Sequence, residues 1–229
     1  MQIEESEKHF KELYNRLKAV LLVFLIFSAL GFVLSGDIIH LVQSDLGVAL
    51  HSITPYEIIY AQLMISGLLG IIFSFPVIFY HIVKFVKPGL TKKEYKVFRN
   101  LIPFSFLLFV FGGVFSYQVI LKTVLGFFES YTFGADVEPV WSLMYTVVFG
   151  FQLSVLIGLM FQIPIISVLL AKLDLITASK MIEYRNHFLI AVLAVSALLT
   201  PPDLITQLLV TLPVILLYQL SIHTVKIID

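Results

Sequence analysis

"FLIAVLAVSALLTPPDLITQLLVTLPVILLY", Phe188 to Tyr218, holds two apolar runs separated by two prolines, a carboxylate and an amide. Read as one element, the apolar stretch 186–222 is too long for a single crossing of a hydrocarbon core ~30 Å thick. Read as a hairpin, it supplies two short spans. Pro201 and Pro202 restrict the backbone and remove two N–H groups, and Asp203 suits the cap of the following helix. The runs of about 15 and about 19 residues reach roughly 23 and 29 Å. The first falls short of a normal core, which predicts a thinned bilayer or a hairpin tip drawn below the surface.

Working outward, the remaining apolar segments lie at 17–35, 62–83, 98–121 and 142–170, followed by 186–200 and 204–222. Six transmembrane helices are therefore expected, in one integral membrane domain covering 1–229. The composition agrees, with 59% hydrophobic residues, 21 Phe and 30 charged residues in a 229-residue chain. Mean hydropathy is +0.98. A soluble helical bundle would need a charged exterior, and only the N-terminal stretch shows a broad charged face. The first segment lacks the small-residue cleavage pattern of a secretory signal.

Charge orients the array. Four Lys or Arg lie in the N-terminal region up to Lys18, six lie between Lys84 and Arg99, three are Lys172, Lys180 and Arg185, and one is Lys226. With six alternating spans, all fourteen fall on one side, and the other side carries only Lys122. The positive-inside rule then places both termini in the cytoplasm. A merged last hairpin would put the C-terminus outside.

The N-terminal stretch has helical spacing, so a short interfacial helix is expected to feed straight into the first span. Region 36–61 reads as an outer loop of short apolar pieces, with a helix starting after Thr54. Pro76, Pro164 and Pro213 recur in the second, fourth and sixth spans and should bend them. A threefold hairpin repeat and the general abundance of membrane prolines explain them equally well. Kinked helices make a concave wall more plausible than a straight bundle.

Several polar groups carry two readings. Glu12 suits an i,i+4 pair with Arg16, and Glu94 suits a capping box with Thr91. Alternatively, both carboxylates face a common basic ligand, since a carboxylate grips guanidinium in a planar fork. Gln162 and Gln219 read as membrane-buried amides bonding a neighbouring helix, or as the lining of a wet cavity. Asp203 and Gln207, one turn apart, read as cap and turn chemistry or as a partner contact.

Enzyme motifs are missing: no HExxH, GxSxG or P-loop occurs, and the six histidines lack metal spacing. No cofactor, metal or covalent chemistry is implied. Zero net charge speaks against a nucleic-acid partner. A small-solute secondary transporter stays open, although no span holds a deep carboxylate or cation. A membrane scaffold for other proteins also stays open.

Three ordered motifs resemble one family. "HFKELYNRLK" from His9 is similar to the opening HLxELRxRL of TatC, the polytopic subunit of the twin-arginine protein translocase. "FSFPVIFYHIVKFVKPGLTKKEYK" from Phe73 resembles its second helix and first cytoplasmic loop. "LLTPPDLITQLLVTLPVILLYQLS" from Leu198 resembles its last hairpin. The resemblance implies a cell-membrane receptor that binds twin-arginine signal peptides of folded cargo and uses the proton-motive force. It implies small single-span subunits as partners, with self-association in the active complex and membrane lipid around it.

By the same resemblance, Glu12, Glu94, Phe85 and Pro88 match the signal-docking residues, with Arg16 and Lys96 matching neighbouring basic positions. Asp203 and Gln207 match the family's outer-end pair. Three positions depart from the pattern. Tyr14 replaces the first arginine of the opening motif, and Gln162 and Gln219 replace glutamates common in the fourth and last helices. Those two amides remove ionisable groups from the membrane, where carboxylates are expensive. Proton relay through either position is correspondingly weakened.

Overall fold

A computed structural model of the chain describes residues 2–134, 140–199 and 203–228, with the side chains of all these except 2–13, 88, 198 and 199. The expectations for Pro201 and Pro202 thus fall outside the described residues. Five helices there are long and apolar enough to cross a membrane: Tyr14–Leu46, Glu57–Val86, Lys92–Phe133, Leu143–Lys172 and Leu204–Ile228. A shorter apolar helix, Arg185–Ala197, stands before the last of them. The architecture is an all-α polytopic membrane protein.

The first helix corrects the expected loop. α1 runs Gln2–Leu46, through the segment "SGDIIHLVQSDL". Its polar residues do not break it, because Ser35 Oγ donates to the Phe32 carbonyl at 2.6 Å and Ser44 Oγ to Leu41 at 2.8 Å. Ile38 and Ile39 meanwhile join an apolar cluster with α2. The helix stops at Gly47, whose φ of +67° is the left-handed conformation that glycine adopts without a Cβ penalty.

α2 spans Glu57–Val86, with Pro76 in its interior, and packs along α1. A 3₁₀ turn, Lys87–Gly89, leads to α3 (Lys92–Asn100), which Thr91 and Glu94 start with the expected capping box. α4 (Ile102–Phe115), a π-helical stretch (Ser116–Leu121) and α5 (Lys122–Phe133) continue almost without interruption. The third span therefore extends well past 121. No proline follows Pro103 in this stretch, and the charge of Lys122 is met by Asp45 of α1 at 2.9 Å.

The fourth span is two helices, α6 (Leu143–Met160) and α7 (Ile163–Lys172), because Pro164 sits in the first turn of α7. A short α8 (Ala178–Glu183), capped by Thr177, connects to α9 (Arg185–Leu199). α10 (Leu204–Ile228) continues beyond 222, so only the first arm of the last hairpin is short. The arms lie side by side, and Gln207 Nε2 donates to the Leu193 carbonyl at 3.2 Å.

Among the described residues four apolar clusters hold the bundle, and the two largest join helices far apart in sequence. Ile120, Leu121 and Val124 meet Leu153 and Ile157 of α6 and Val210 of α10. Phe75, Phe79 and Val83 of α2 meet Phe98, Phe109, Ile165 and Leu169, with Phe75 and Phe109 stacked at 4.3 Å. α4 and α6 approach at glycines, since a Cβ on Gly112 would stand 2.9 Å from the Gly158 Cα. Small residues permit such close helix contacts in membranes, where packing rather than hydrophobic expulsion drives association.

Candidate functional site

The basic segments meet at one end of the bundle. Arg16 Nη1 donates to the His81 carbonyl at 3.3 Å, which sets the N-terminal part of α1 against the last turns of α2. One turn of α2 further on, Phe85 stands 74% exposed, in a stretch of sequence that also holds Lys84, Lys87, Lys92 and Lys93. Glu94 begins α3. Its Oε2 accepts from Thr91 N at 2.9 Å and Thr91 Oγ1 at 2.7 Å, and Glu94 N donates back to Thr91 Oγ1 at 3.3 Å.

Both bonds from Thr91 fall on Oε2, so Oε1 lies outside the capping box. The box holds the carboxylate in a single orientation without burying it. Lys172 of α7 acts on the same carboxylate through space, and Lys96 is exposed on α3. Lys87 lies over the Tyr95 ring, 5.1 Å from its centroid. Glu12 sits on α1 one helical turn before Arg16; its side chain and that of Pro88 lie outside those described.

The polar groups within the spans separate. Gln162, expected inside a helix, occupies the break between α6 and α7 and is almost wholly buried. Its Oε1 accepts from Ser105 Oγ of α4, and its Nε2 donates to the Ser105 carbonyl at 3.2 Å. Both ends of the amide are thus committed to one helix–helix link. Gln219, in contrast, is exposed on α10. Asp203 Oδ1 accepts from Thr206 N at 2.7 Å, the capping bond expected of it, and Gln207 ties α10 to α9.

The opposite end holds groups whose roles are not visible locally. Glu57 is 2% exposed although it is ionisable. Its Oε1 accepts from Thr54 N and Oγ1 at 3.2 and 3.3 Å, and its Oε2 from Ser142 Oγ at 2.9 Å and Met144 N at 3.2 Å. Four donors therefore compensate the desolvated carboxylate. They join the start of α2 to the start of α6, where β1 (Leu50–His51) also pairs in parallel with β2 (Trp141–Ser142).

Thr54 is not the cap of α2, as its position suggested; Tyr56 is, and Glu57 bonds back to Thr54. Asp45, Lys122 and Tyr117 form a second link, with Tyr117 Oη donating to Asp45 Oδ2 at 2.9 Å. The only local sign for Glu57 was the T-x-x-E spacing. Asp45 and Lys122 showed only as opposite charges on one side. Among the described residues, no three His, Asp or Glu side chains gather as a metal site requires.

A multi-helix membrane protein, with an exposed basic end and closed polar links elsewhere, is the class these features define. Residues 8–213 match the family described as Sec-independent protein translocase protein (TatC), and the chain belongs to that family. It is 34% identical to the Sec-independent protein translocase protein TatCy of Bacillus subtilis strain 168, covering 94% of this chain and 86% of that protein. It is 33% identical to TatC of Listeria innocua, covering 93% of this chain and 88% of the relative. A crystal structure of the twin arginine translocase receptor TatC superposes with a TM-score of 0.86 at 30% identity, covering 95% of this chain and 99% of that one.

Proposed function

We propose that this chain is the receptor and core subunit of a twin-arginine translocase, binding signal peptides of folded proteins and supporting their export. In this reading 1–229 is one integral domain of the cell membrane, with both termini and the basic end in the cytoplasm. The observation that carries the site is Glu94: a carboxylate oriented by Thr91, with one oxygen outside the box, on the same connection as exposed Phe85. An arginine pair offers planar donors to such an oxygen, and the signal's apolar part has Phe85 to meet.

Glu12, Arg16, Pro88 and Lys96 complete the proposed docking face from α1 and the α2–α3 connection. Asp203, Gln207 and Gln219 on α10 are proposed contacts for small single-span subunits or for a second copy. Gln162 serves as an internal tie to Ser105. That assignment also removes a central polar group from the transporter alternative. The protein performs no covalent step in this scheme, and transport draws on the proton-motive force as the family resemblance implies.

The test is a folded reporter carrying an arginine-pair signal. Deleting this protein, or changing the pair to lysines, abolishes export; unchanged export in both cases overturns the receptor reading. For the site, Glu12→Ala and Glu94→Ala each weaken crosslinking to the signal peptide at equal protein abundance. Wild-type crosslinking in both variants overturns the docking assignment.

A further inference from the structure

A groove of about 420 Å³ opens between α7, α8, α9 and α10, and none of the proposed docking residues lines it. Its walls are apolar, with Ile163 and Ile166 on one side, Met181 and Phe188 on the other, and Tyr218 at its base. The base is rigid. Phe188 and Tyr218 stack at 3.9 Å with 12° between their planes, and Tyr218 Oη donates to the Met181 carbonyl at 2.8 Å. The side is open, for Ile166 remains 44% exposed.

The charge sits at one end. Lys180 is the charged residue among those lining the groove, and it is exposed on α8. Arg185, at the start of α9, lies near enough to act electrostatically on the Tyr218 phenol. Asp174 and Glu183 are close in sequence and, like Arg185, lie outside the groove's lining. α7 alone is ~15 Å long, enough to accompany a large part of an acyl chain.

We infer that this groove binds one anionic phospholipid, with an acyl chain along the α7 wall and the phosphate at Lys180 and Arg185. In a membrane protein, an apolar trough with an open side meets lipid before any other apolar ligand. A cation at its headgroup end favours a net negative head over a zwitterionic one, whose own cation would be repelled. This site shares no residue with the signal-docking face, so either assignment can fail alone.

The test is native mass spectrometry of delipidated full-length protein in detergent, titrated with phosphatidylglycerol or phosphatidylcholine of the same chains. The wild type retains phosphatidylglycerol at a concentration at least about fivefold below phosphatidylcholine, a gap in keeping with one or two headgroup cations. Lys180→Gln combined with Arg185→Gln abolishes that gap. Ile166→Trp, which fills the open wall, weakens both lipids. Lys92→Gln, on α3 and outside the groove's lining, preserves the gap.

A gap that persists in the double variant overturns the inference, as does equal loss with Lys92→Gln. Unchanged binding of both lipids by Ile166→Trp removes the acyl seat. Displacement by soluble glycerol phosphate at the lipid's own concentration shows an anion site without a chain and also overturns it. The charge variants lie on exposed positions, so they report on binding without depending on the core.

Discussion

Thr54–Glu57 and Thr91–Glu94 share the same T-x-x-E spacing, and in both the glutamate accepts from the threonine N–H and hydroxyl. Their outcomes differ. Thr91 caps a helix, and Glu94 keeps an oxygen beyond the box on a partly exposed surface. Glu57 is buried, and its second oxygen reaches across to Ser142 and Met144 at the start of α6. One local motif thus produces a partly exposed capping carboxylate in one place and an internal clasp in the other. The difference lies in what the tertiary fold sets beside each second oxygen.

The largest break in this comparison is expected from Glu57→Ala. It strands the Ser142 hydroxyl and the Met144 and Thr54 N–H groups where water is excluded. Thermal unfolding in detergent should fall by on the order of 5–10 °C, while signal crosslinking per folded molecule stays unchanged. An unfolding temperature equal to wild type would show that the clasp contributes nothing. Glu94→Ala should give the reverse pattern, with crosslinking lowered by about tenfold, the loss of one charge-assisted contact. Its unfolding temperature should shift by only about 1–3 °C through the lost cap.

Gln162→Leu tests the third kind of polar group, an amide closed on both ends. Its coupling to Ser105→Ala should be about 1 kcal/mol in a double-mutant cycle, the scale of hydrogen bonds between membrane helices. Additive effects of the two substitutions would remove the link. The smallest effect belongs to Lys122→Gln. Lys122 and Asp45 are 31% and 36% exposed, so water and salt screen their pair. A loss of about 1–2 °C that vanishes at high salt is expected, and a large salt-independent loss would contradict the exposed geometry.

Part of this was legible along the chain. Apolar segment length exposed the polytopic class, because a bilayer imposes a minimum run whatever the neighbours do. The Thr91–Glu94 box and the Asp203 cap were readable because their partners lie within one helical turn. The end of α1 was not. "SGDIIHLVQSDL" reads as loop until its serines are seen to bond back to carbonyls and its isoleucines to pack on α2. The break at Gln162 was half visible in Pro164, while the Ser105 partner, 57 positions away, was not.

By itself the sequence determined the membrane class, the two-ended charge distribution and the hairpin around Asp203, since each depends on local composition or spacing. The tertiary structure alone decided which carboxylate became structural. Glu57 is a clasp because Ser142 and the start of α6, 85 positions away, supply donors in a dry setting. Glu94 remains partly exposed because no described residue folds over it. Burial and long-range donors are properties of packing, and no local motif encodes them.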